Sequence, residues 1–383
     1  MGFPTKQKLD RELENQIALA GDLATRSTVW KSRPTFLEMA YNNLCNLKCV
    51  MCAKSDGEPN AVMDTELGNE FLGSVLPYVL DWMPSANSEP LLNDIDLLVR
   101  QAEEHEVWLH VISNATLLTP ERYEKLSRRM HKLWISLDAA TPETFEKIRV
   151  NARWDPVMAN IRKVLPLALK DGVQVTFNFV LMSNNWHESA AFVSLIADLG
   201  GRICNIQELL PNSTGFAELN WSDKVSKEQI AAELERARQV AEERKIDLKI
   251  ELRPPLQGRY GYDEHRFEFS APLPDLREHY TQALNRRHPG FCQMATNYLK
   301  VTPDGDVFPC CRGPESLNMG NIKTASFDEI WNGEKYQEFR RQMLDGDYPS
   351  VCASCYVLVG NPEYQRMRRE QKGARQPVEK KLS

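Results

Sequence analysis

Apolar runs alternate with amphipathic stretches along the first 210 residues of the chain. The apolar runs predict strands, and the stretches between them, in which apolar residues recur at helical spacing, predict helices. The six predicted strands are 35–40, 79–83, 107–113, 133–137, 173–182 and 203–209. Such alternation is typical of a parallel α/β sheet. Six units are too few for a closed eight-stranded barrel, so we expect a partial, open (β/α)6 barrel with ligands at the carboxyl ends of its strands.

The same pattern divides the chain into five segments. An amphipathic stretch at 7–26 predicts a helix that covers one end of the barrel. In the fourth segment, a strand–turn–strand hairpin at 301–308 has Asp-Gly at its tip, which predicts a small α+β domain. The segments are 1–34 (helical extension), 35–210 (barrel core), 211–290 (bridging segment), 291–360 (α+β domain) and 361–383 (basic tail).

The bridging segment is the least regular of the five. It begins with a charged predicted helix, 227–245, and a predicted strand, 246–252, and continues into a piece rich in Pro, Gly and aromatic residues. Irregular backbone of this composition fits two interpretations equally well. It either bridges the active site and contributes substrate contacts, or it is a surface connector.

Composition narrows the classes of protein to which the chain can belong. It has 383 residues, 42% hydrophobic and 26% charged, as in ordinary globular proteins. The formal net charge of −6 argues against a broad nucleic-acid-binding surface, so no nucleic-acid partner is expected. The sequence contains no apolar run of about 20 residues and no apolar core near the N-terminus. We therefore expect a cytoplasmic protein without a membrane partner.

Eight of the nine cysteines fall into two groups, one toward each end of the chain, which predicts two metal centres. The first group, Cys45, Cys49 and Cys52, has the spacing C-x3-C-x2-C directly after the first strand. Three thiolates on a four-iron cluster leave one iron open to another ligand. A closed zinc site would need a fourth Cys or His, and none follows before His105. Zinc remains the alternative.

The triplet resembles the radical S-adenosylmethionine (SAM) superfamily, in which the open iron of a [4Fe–4S] cluster chelates SAM. In that family the reduced cluster cleaves SAM to a 5′-deoxyadenosyl radical. Loops after successive strands resemble the family's SAM-binding segments: 85–92 its "GGEP", 113–118 its "TNGT", 136–139 its "SLDG", and 178–184 the loop that reaches the ribose or adenine. The resemblance implies SAM contacts from Met51, Asn87, Ser88, Glu89, Asn114, Ser136, Asn178 and Met182.

Two features of these loops leave other interpretations open. Asn87 and Ser88 stand where the family has glycines, and Met51 stands where it often has an aromatic residue that packs on adenine. Taken singly, Asn114 and Ser136 could be turn or capping residues. In the same way, Asp138 could cap the helix that starts near Thr141.

The second cysteine group comprises Cys292, Cys310, Cys311, Cys352 and Cys355, and we expect Cys292, Cys310, Cys352 and Cys355 to bind one metal centre. The string C-x12-G-x4-C, followed by Gly320–Ile322 and Phe327–Asn332, resembles the SPASM domain, an auxiliary-cluster module of radical SAM enzymes. No cysteine follows Cys355, which implies the one-cluster "twitch" version, as in the dehydrogenase of 2-deoxy-scyllo-inosamine. Four thiolates also suit structural zinc.

Two cysteines of this sequence have no firm assignment. Cys311 could replace Cys310 as a ligand, although the spacing from Gly305 favours Cys310. Cys204 is either a plain buried thiol or a hydrogen-atom donor of the kind expected in an epimerase.

The resemblance implies an enzyme with SAM and two [4Fe–4S] clusters, supplied with electrons by a donor such as flavodoxin or ferredoxin. We expect hydrogen abstraction from a small polar molecule, a sugar, aminocyclitol or natural-product intermediate, that leads to oxidation or epimerisation. The alternative is maturation of a peptide or protein, although peptide-modifying relatives often carry an extra N-terminal domain and only about 34 residues precede the first strand here. A second alternative is a non-enzymatic protein with two structural zinc sites.

Overall fold

The computed structural model describes residues 4–85, 87–210, 213–222, 224–252, 292, 294–311, 313 and 315–355. The predictions for the irregular part of the bridging segment and for the basic tail lie outside the described residues. Among the described residues, no helix combines the length and the apolar character needed to cross a lipid bilayer.

Helices and strands alternate along the core, as the apolar pattern predicts. The strands are β1 Phe36–Met39, β2 Asp81–Met83, β3 Trp108–Ser113, β4 Met130–Ser136, β5 Gln174–Leu181, β6 Ile203–Glu208, β7 Asp247–Glu251, β8 Tyr298–Val301, β9 Asp306–Phe308 and β10 Gly320–Asn321. The helices are α1 Lys6–Ala24, α2 Thr65–Val75, α3 Ile95–Glu104, α4 Pro120–Ser127, α5 Pro142–Ile148, α6 Trp154–Lys170, α7 Ser189–Asp198, α8 Phe216–Leu219, α9 Lys227–Arg244, α10 Met294–Asn297, α11 Phe327–Trp331 and α12 Glu334–Asp345. The mixed α/β class is confirmed.

The strands form one sheet in the order β10-β9-β8-β1-β2-β3-β4-β5-β6-β7. Strands β1 to β7 pair in parallel, so the parallel run has seven strands where the core pattern predicts six. The seventh, β7, is the strand predicted within the bridging segment. At the other edge, β8 of the C-terminal domain pairs in parallel with β1, and β9 returns antiparallel. The C-terminal domain thus extends the core sheet.

The two faces of the sheet differ in polarity, although the more polar face also carries apolar and aromatic residues such as Phe36, Ile112 and Trp134. The face packed against the helices is apolar and continuous with the main core, and we call it the helix-packed face. It carries Leu37, Met39, Trp82, Leu109, Val111, Leu133, Ile135, Val175, Phe177, Phe179, Leu181, Cys204, Ile206, Ile250, Leu299 and Val301. Alternate residues of the same strands point to the opposite, polar face. The polar face carries Glu38, Asp81, His110, Lys132, Ser136, Thr176, Asn178, Asn205, Gln207, Lys249, Glu251 and Lys300.

Helix α1 is fixed at the amino ends of β2 and β3 by one buried lysine. The ammonium of Lys8 donates to the carbonyl oxygens of Leu76 (3.0 Å), Pro77 (3.2 Å), Val79 (2.6 Å) and His105 (3.1 Å). Loop carbonyls in the interior need hydrogen-bond partners, and Lys8 supplies them from a single side chain. The helix therefore lies across one end of the core.

The variant Lys8→Met should lower the free energy of unfolding by about 2 kcal/mol, because it keeps the apolar stem but leaves buried carbonyls without a donor. Urea denaturation followed by circular dichroism measures the effect. Lys6→Met, an exposed lysine on the same helix, is the control and should change little. Equal effects of the two variants would contradict the role given to Lys8.

The segment that precedes β1 docks on the C-terminal helices. Arg340 is fully buried, with its guanidinium carbon 4.2 Å from the ring centroid of Trp30 and 4.5 Å from that of Trp331. It donates to the Thr28 carbonyl at 2.9 Å and to Asn332 Oδ1 at 3.0 Å. Cation–π contacts and hydrogen bonds thus hold the two ends of the described chain together.

Candidate active site and metal centres

The cysteine triplet lies on the loop between β1 and α2, at the carboxyl end of β1. The backbone N–H of Cys52 donates to the Cys49 carbonyl at 2.9 Å, which turns the loop back on itself. The N–H groups of Lys48 and Val50 donate to the carbonyls of Val150 and Ile148, each at 3.0 Å. These hydrogen bonds hold the loop against the end of α5. The backbone that carries the thiols is therefore positioned by the protein itself.

Two donors from other parts of the chain, one after β3 and one at the end of α5, reach the thiols of this loop. Nδ2 of Asn114 lies 3.9 Å from Cys45 Sγ, and a guanidinium nitrogen of Arg149 lies 3.5 Å from Cys49 Sγ. Burial raises the pKa of Cys45 and of Cys49, and the neighbouring Cys52 thiolate raises both further. A metal centre would hold these thiols deprotonated, and N–H donors to sulfur are typical surroundings of iron–sulfur clusters. The loop fits such a group.

The spacing of the thiols bears on the zinc alternative. Within the described ranges, no three His, Cys, Asp or Glu side chains converge closely enough to hold a single metal ion. A tetrahedral zinc site requires that convergence. A cubane cluster binds each cysteine through a separate iron, so its thiols can lie further apart.

Glu89 joins the loops that follow β1, β2 and β3. Its buried carboxylate accepts from Ser113 Oγ at 2.8 Å and from the N–H of Asn114 at 2.7 Å, and its own N–H donates to the Leu44 carbonyl at 2.9 Å. Burial raises its pKa to about 7, although these donors and the N–H of Leu91 lower it. A buried carboxylate of this kind favours a cation, such as an ammonium group, beside it.

The departures from glycine at these loops are accommodated by the backbone. Asn87 has φ 52° and Ala115, which stands at the glycine of the "TNGT" pattern, has φ 61°. Both lie in the left-handed region that glycine adopts freely and that asparagine tolerates. Ser88, the other departure, is half-buried. The loops thus keep a left-handed turn without glycine.

Asn114 is both a turn residue and a neighbour of the cysteines. Its Oδ1 accepts from the N–H of Thr116 at 2.9 Å, an Asx turn, while its Nδ2 donates to Asn46 Oδ1 at 3.0 Å on the cysteine loop. The two interpretations of this residue are therefore compatible, because different atoms of one amide serve each role.

Ser136 and Asn178 are register partners on the polar face, and Asn205 and Lys249 continue the same row on β6 and β7. Asn205 Nδ2 donates to Asn178 Oδ1 at 3.3 Å, and both residues are buried. The row places polar side chains side by side across four strands.

Asp138 does not cap α5. Thr141 is the N-cap, its hydroxyl accepting from the N–H of Thr144, and Glu188 accepts from the N–H of Ala140 at 2.6 Å.

Asp138 is instead fully buried and forms an ion pair with Arg149. Its Oδ1 accepts from the N–H of Val180 at 2.8 Å. Although burial alone would lower it, the pKa of Arg149 is raised by Asp138 and Cys49. Arg149 belongs to no motif, so no sequence signal could have identified it.

Met51 and Met182 lie in one small apolar cluster. Met182, Ile148 and Leu209 are buried there, and the half-buried Met51 packs against them. These two methionines come from the cysteine loop and from the end of β5. Their polarisable thioethers suit an apolar ring surface.

Four of the five cysteines of the second group also lie together. Burial raises the pKa of Cys292 well above its ordinary value, and the neighbouring thiolates of Cys355, Cys310 and Cys352 raise it further. A four-thiolate cluster fits this site, since its charge would hold the buried thiols deprotonated.

Cys204 lies apart from both groups. It is fully buried on the helix-packed face, and burial raises its pKa to about 12. Because it points away from the polar face, its position fits the plain buried thiol and not the hydrogen-atom donor.

Comparisons with known proteins agree with this geometry. Residues 39–196 match the radical SAM superfamily, and residues 292–356 match SPASM, an iron–sulfur cluster-binding domain. The AdoMet-dependent heme synthase of Methanosarcina barkeri is 27% identical over 335 residues, which cover 83% of this chain and 90% of that protein. A GTP 3′,8-cyclase of Peptoclostridium acidaminophilum is 23% identical over 332 residues, or 82% and 93% of the two chains.

Solved structures show the same fold. SuiB of Streptococcus suis, bound to S-adenosylmethionine, superposes with a TM-score of 0.61 and 15% identity over 93% of this chain and 79% of that one. Both predicted modules match in the predicted order, and the predicted cofactors, SAM and [4Fe–4S] clusters, are those of these domains. The chain therefore belongs to the radical SAM superfamily and carries a C-terminal SPASM domain.

Proposed function

We propose that this enzyme abstracts a hydrogen atom from a small polar molecule, such as a sugar, an aminocyclitol or a related natural-product intermediate, and that the product is oxidised or epimerised. The observation that carries the proposal is the polarity of the sheet face opposite the helices. Buried polar side chains are retained where they have partners, since burying them without one is unfavourable. A polar molecule offers such partners.

The side chains on that face suit hydroxyl and amino groups. Ser136, Asn178 and Asn205 stand in one row, and buried Asn205 Oδ1 accepts no hydrogen bond from a described residue. Hydroxyl and amide groups offer both donors and acceptors, and carboxylates offer acceptors, so such side chains can pair with a polyhydroxylated molecule. Apolar Ile112 and Trp134 lie beside them, so the face also offers surface to a carbon skeleton.

Residues around the cysteine loop would hold the first cluster and SAM. Cys45, Cys49 and Cys52 would ligate three irons, and SAM would contact Met51, Asn87, Ser88, Glu89, Asn114, Ser136, Asn178 and Met182. When bound and reduced, these cofactors supply a 5′-deoxyadenosyl radical. Glu89 would orient the SAM amino group, and the apolar cluster of Met51 and Met182 would exclude water from the ring of its nucleoside.

Cys292, Cys310, Cys352 and Cys355 would hold an auxiliary cluster. With every iron bound to a protein thiolate, such a cluster suits electron transfer and has no open iron for substrate. That property favours an oxidation, in which a second electron must leave the substrate. Radical SAM enzymes use a reductant, and flavodoxin or ferredoxin is the donor we propose.

The similar proteins include both kinds of substrate, since a Bacillus subtilis relative that is 21% identical is named for biosynthesis of the bacteriocin subtilosin. The relatives at 27% and 23% identity are a heme synthase and a GTP cyclase, both named for small molecules. The likeness to SuiB is a likeness of fold alone, so it does not favour the peptide alternative.

The test is anaerobic incubation of the reconstituted enzyme with SAM, dithionite and fractions of a cell extract separated by mass. The fraction of small molecules should raise 5′-deoxyadenosine formation above the rate with SAM alone, and deuterium should enter deoxyadenosine from a deuterated substrate pool. Stimulation by the peptide fraction only would favour peptide maturation. A colourless protein that retains zinc after reconstitution with iron and sulfide would refute radical chemistry.

A further inference from the structure

Three polar side chains are buried between β1 and the second cysteine group. The ammonium of Lys300 lies 3.0 Å from Glu38 Oε1 and donates to the Cys311 carbonyl at 3.3 Å. The hydroxyl of Tyr298 donates to the other oxygen of Glu38. Glu38 and Lys300 are register partners in the β1–β8 pair, so the pairing of the two domains creates this contact.

The surroundings of these groups are apolar. Phe36 stacks on Tyr298 with ring centroids 4.9 Å apart, and Met83 and Met294 complete a cluster against which Cys292, Cys310 and Cys311 pack. Glu38 and Lys300 are 6% and 8% exposed, so water screens their charges little. In such an environment a fixed charge acts strongly on neighbouring groups.

Reduction adds one electron to an iron–sulfur cluster, so nearby positive charge favours the reduced state and nearby negative charge opposes it. Net charge and hydrogen bonding around the sulfurs are among the main determinants of the potential. Lys300 touches the cysteine segment itself, through the carbonyl of Cys311, whereas Glu38 reaches that segment through Lys300. The positive charge is therefore the one in direct contact with the segment.

We propose that Lys300 raises the reduction potential of the auxiliary cluster and that Glu38, its ion-pair partner, partly offsets this effect. The inference rests on the auxiliary cluster proposed above at Cys292, Cys310, Cys352 and Cys355. Lys300 is in this sense a tuning residue. It acts on the electron acceptor and does not touch the reacting atoms of the substrate.

The test uses the full chain with Cys45, Cys49 and Cys52 all changed to Ala, so that the auxiliary cluster is the sole cluster. Its midpoint potential is measured by anaerobic titration monitored by electron paramagnetic resonance. Lys300→Met should move the midpoint potential to a more negative value. Lys300→Arg keeps the positive charge, so its potential should stay close to that of the parent. Glu38→Gln keeps an acceptor for Tyr298 but removes the negative charge, so it should move the potential the other way.

The matched control is Lys323→Met, an exposed lysine of the same domain, which should leave the potential unchanged. An unshifted potential in Lys300→Met, with a normal cluster signal, overturns the inference and leaves the proposed function intact. If Lys300→Met does not hold iron, the test relies on Glu38→Gln. A midpoint potential in Glu38→Gln that is unchanged or more negative would also overturn the inference. A parent that binds no cluster refutes the auxiliary cluster and this inference together.

Discussion

The variant in which Cys45, Cys49 and Cys52 are all changed to Ala should form no 5′-deoxyadenosine and should retain about four of about eight irons per chain. These thiols are the ligands we propose for the cluster with an open iron. The other cysteines belong to the second group or, in the case of Cys204, to the helix-packed face. Iron analysis and chromatography of the SAM products measure both effects.

Cys204→Ala is the matched control for that variant. It removes one thiol from the helix-packed core, distant from both cysteine groups, and should keep about eight irons and full SAM cleavage. Deoxyadenosine formation by the triple variant would contradict the assignment of the open iron to this loop. A wild type that holds two clusters yet makes no deoxyadenosine would leave the fold standing and refute the radical mechanism.

Arg149→Met should destabilise the protein by about 3–5 kcal/mol, because it leaves the Asp138 carboxylate buried without its charge partner. Asp138 is fully buried and the Arg149 side chain is 11% exposed, so water cannot take over the role of the guanidinium. The same variant removes the N–H donor to Cys49. Urea unfolding of the apoprotein measures the change in the free energy of unfolding without any contribution from the cluster.

A double-mutant cycle separates the ion pair from simple loss of packing. Asp138 has φ 61°, and Asp138→Asn is suitable because asparagine tolerates the left-handed region. In the Asp138→Asn background, Arg149→Met should cost about 2 kcal/mol less than in the wild type. Arg153→Met, an exposed arginine paired with Glu146 at 3.0 Å, is the control and should change stability little. Equal costs in the two backgrounds would show that the charge of Asp138 is not the cause.

Strand β4 illustrates where pattern-based prediction stops. The apolar pattern predicts 133–137, whereas the strand spans Met130–Ser136. The first residues of this strand include His131 and Lys132. A strand accommodates such polar residues where one face of the sheet is polar. His131 pairs with Asp81 at 2.9 Å, and the β3–β4 register shifts at this point. The sequence alone could not distinguish these polar strand residues from the residues of a loop.

The sequence by itself determined the cysteine spacings, the alternation of strands and helices, and the order of the strand-end loops. These features are local, since a ligand loop or a strand is encoded within a few neighbouring residues. Only the tertiary structure decided that Arg149 meets Cys49 and Asp138, and that Tyr298 meets Glu38 across 260 positions of sequence. A buried charge takes its partner from whichever strand or loop packs beside it, and that neighbour is set by strand pairing and chain topology rather than by local spacing.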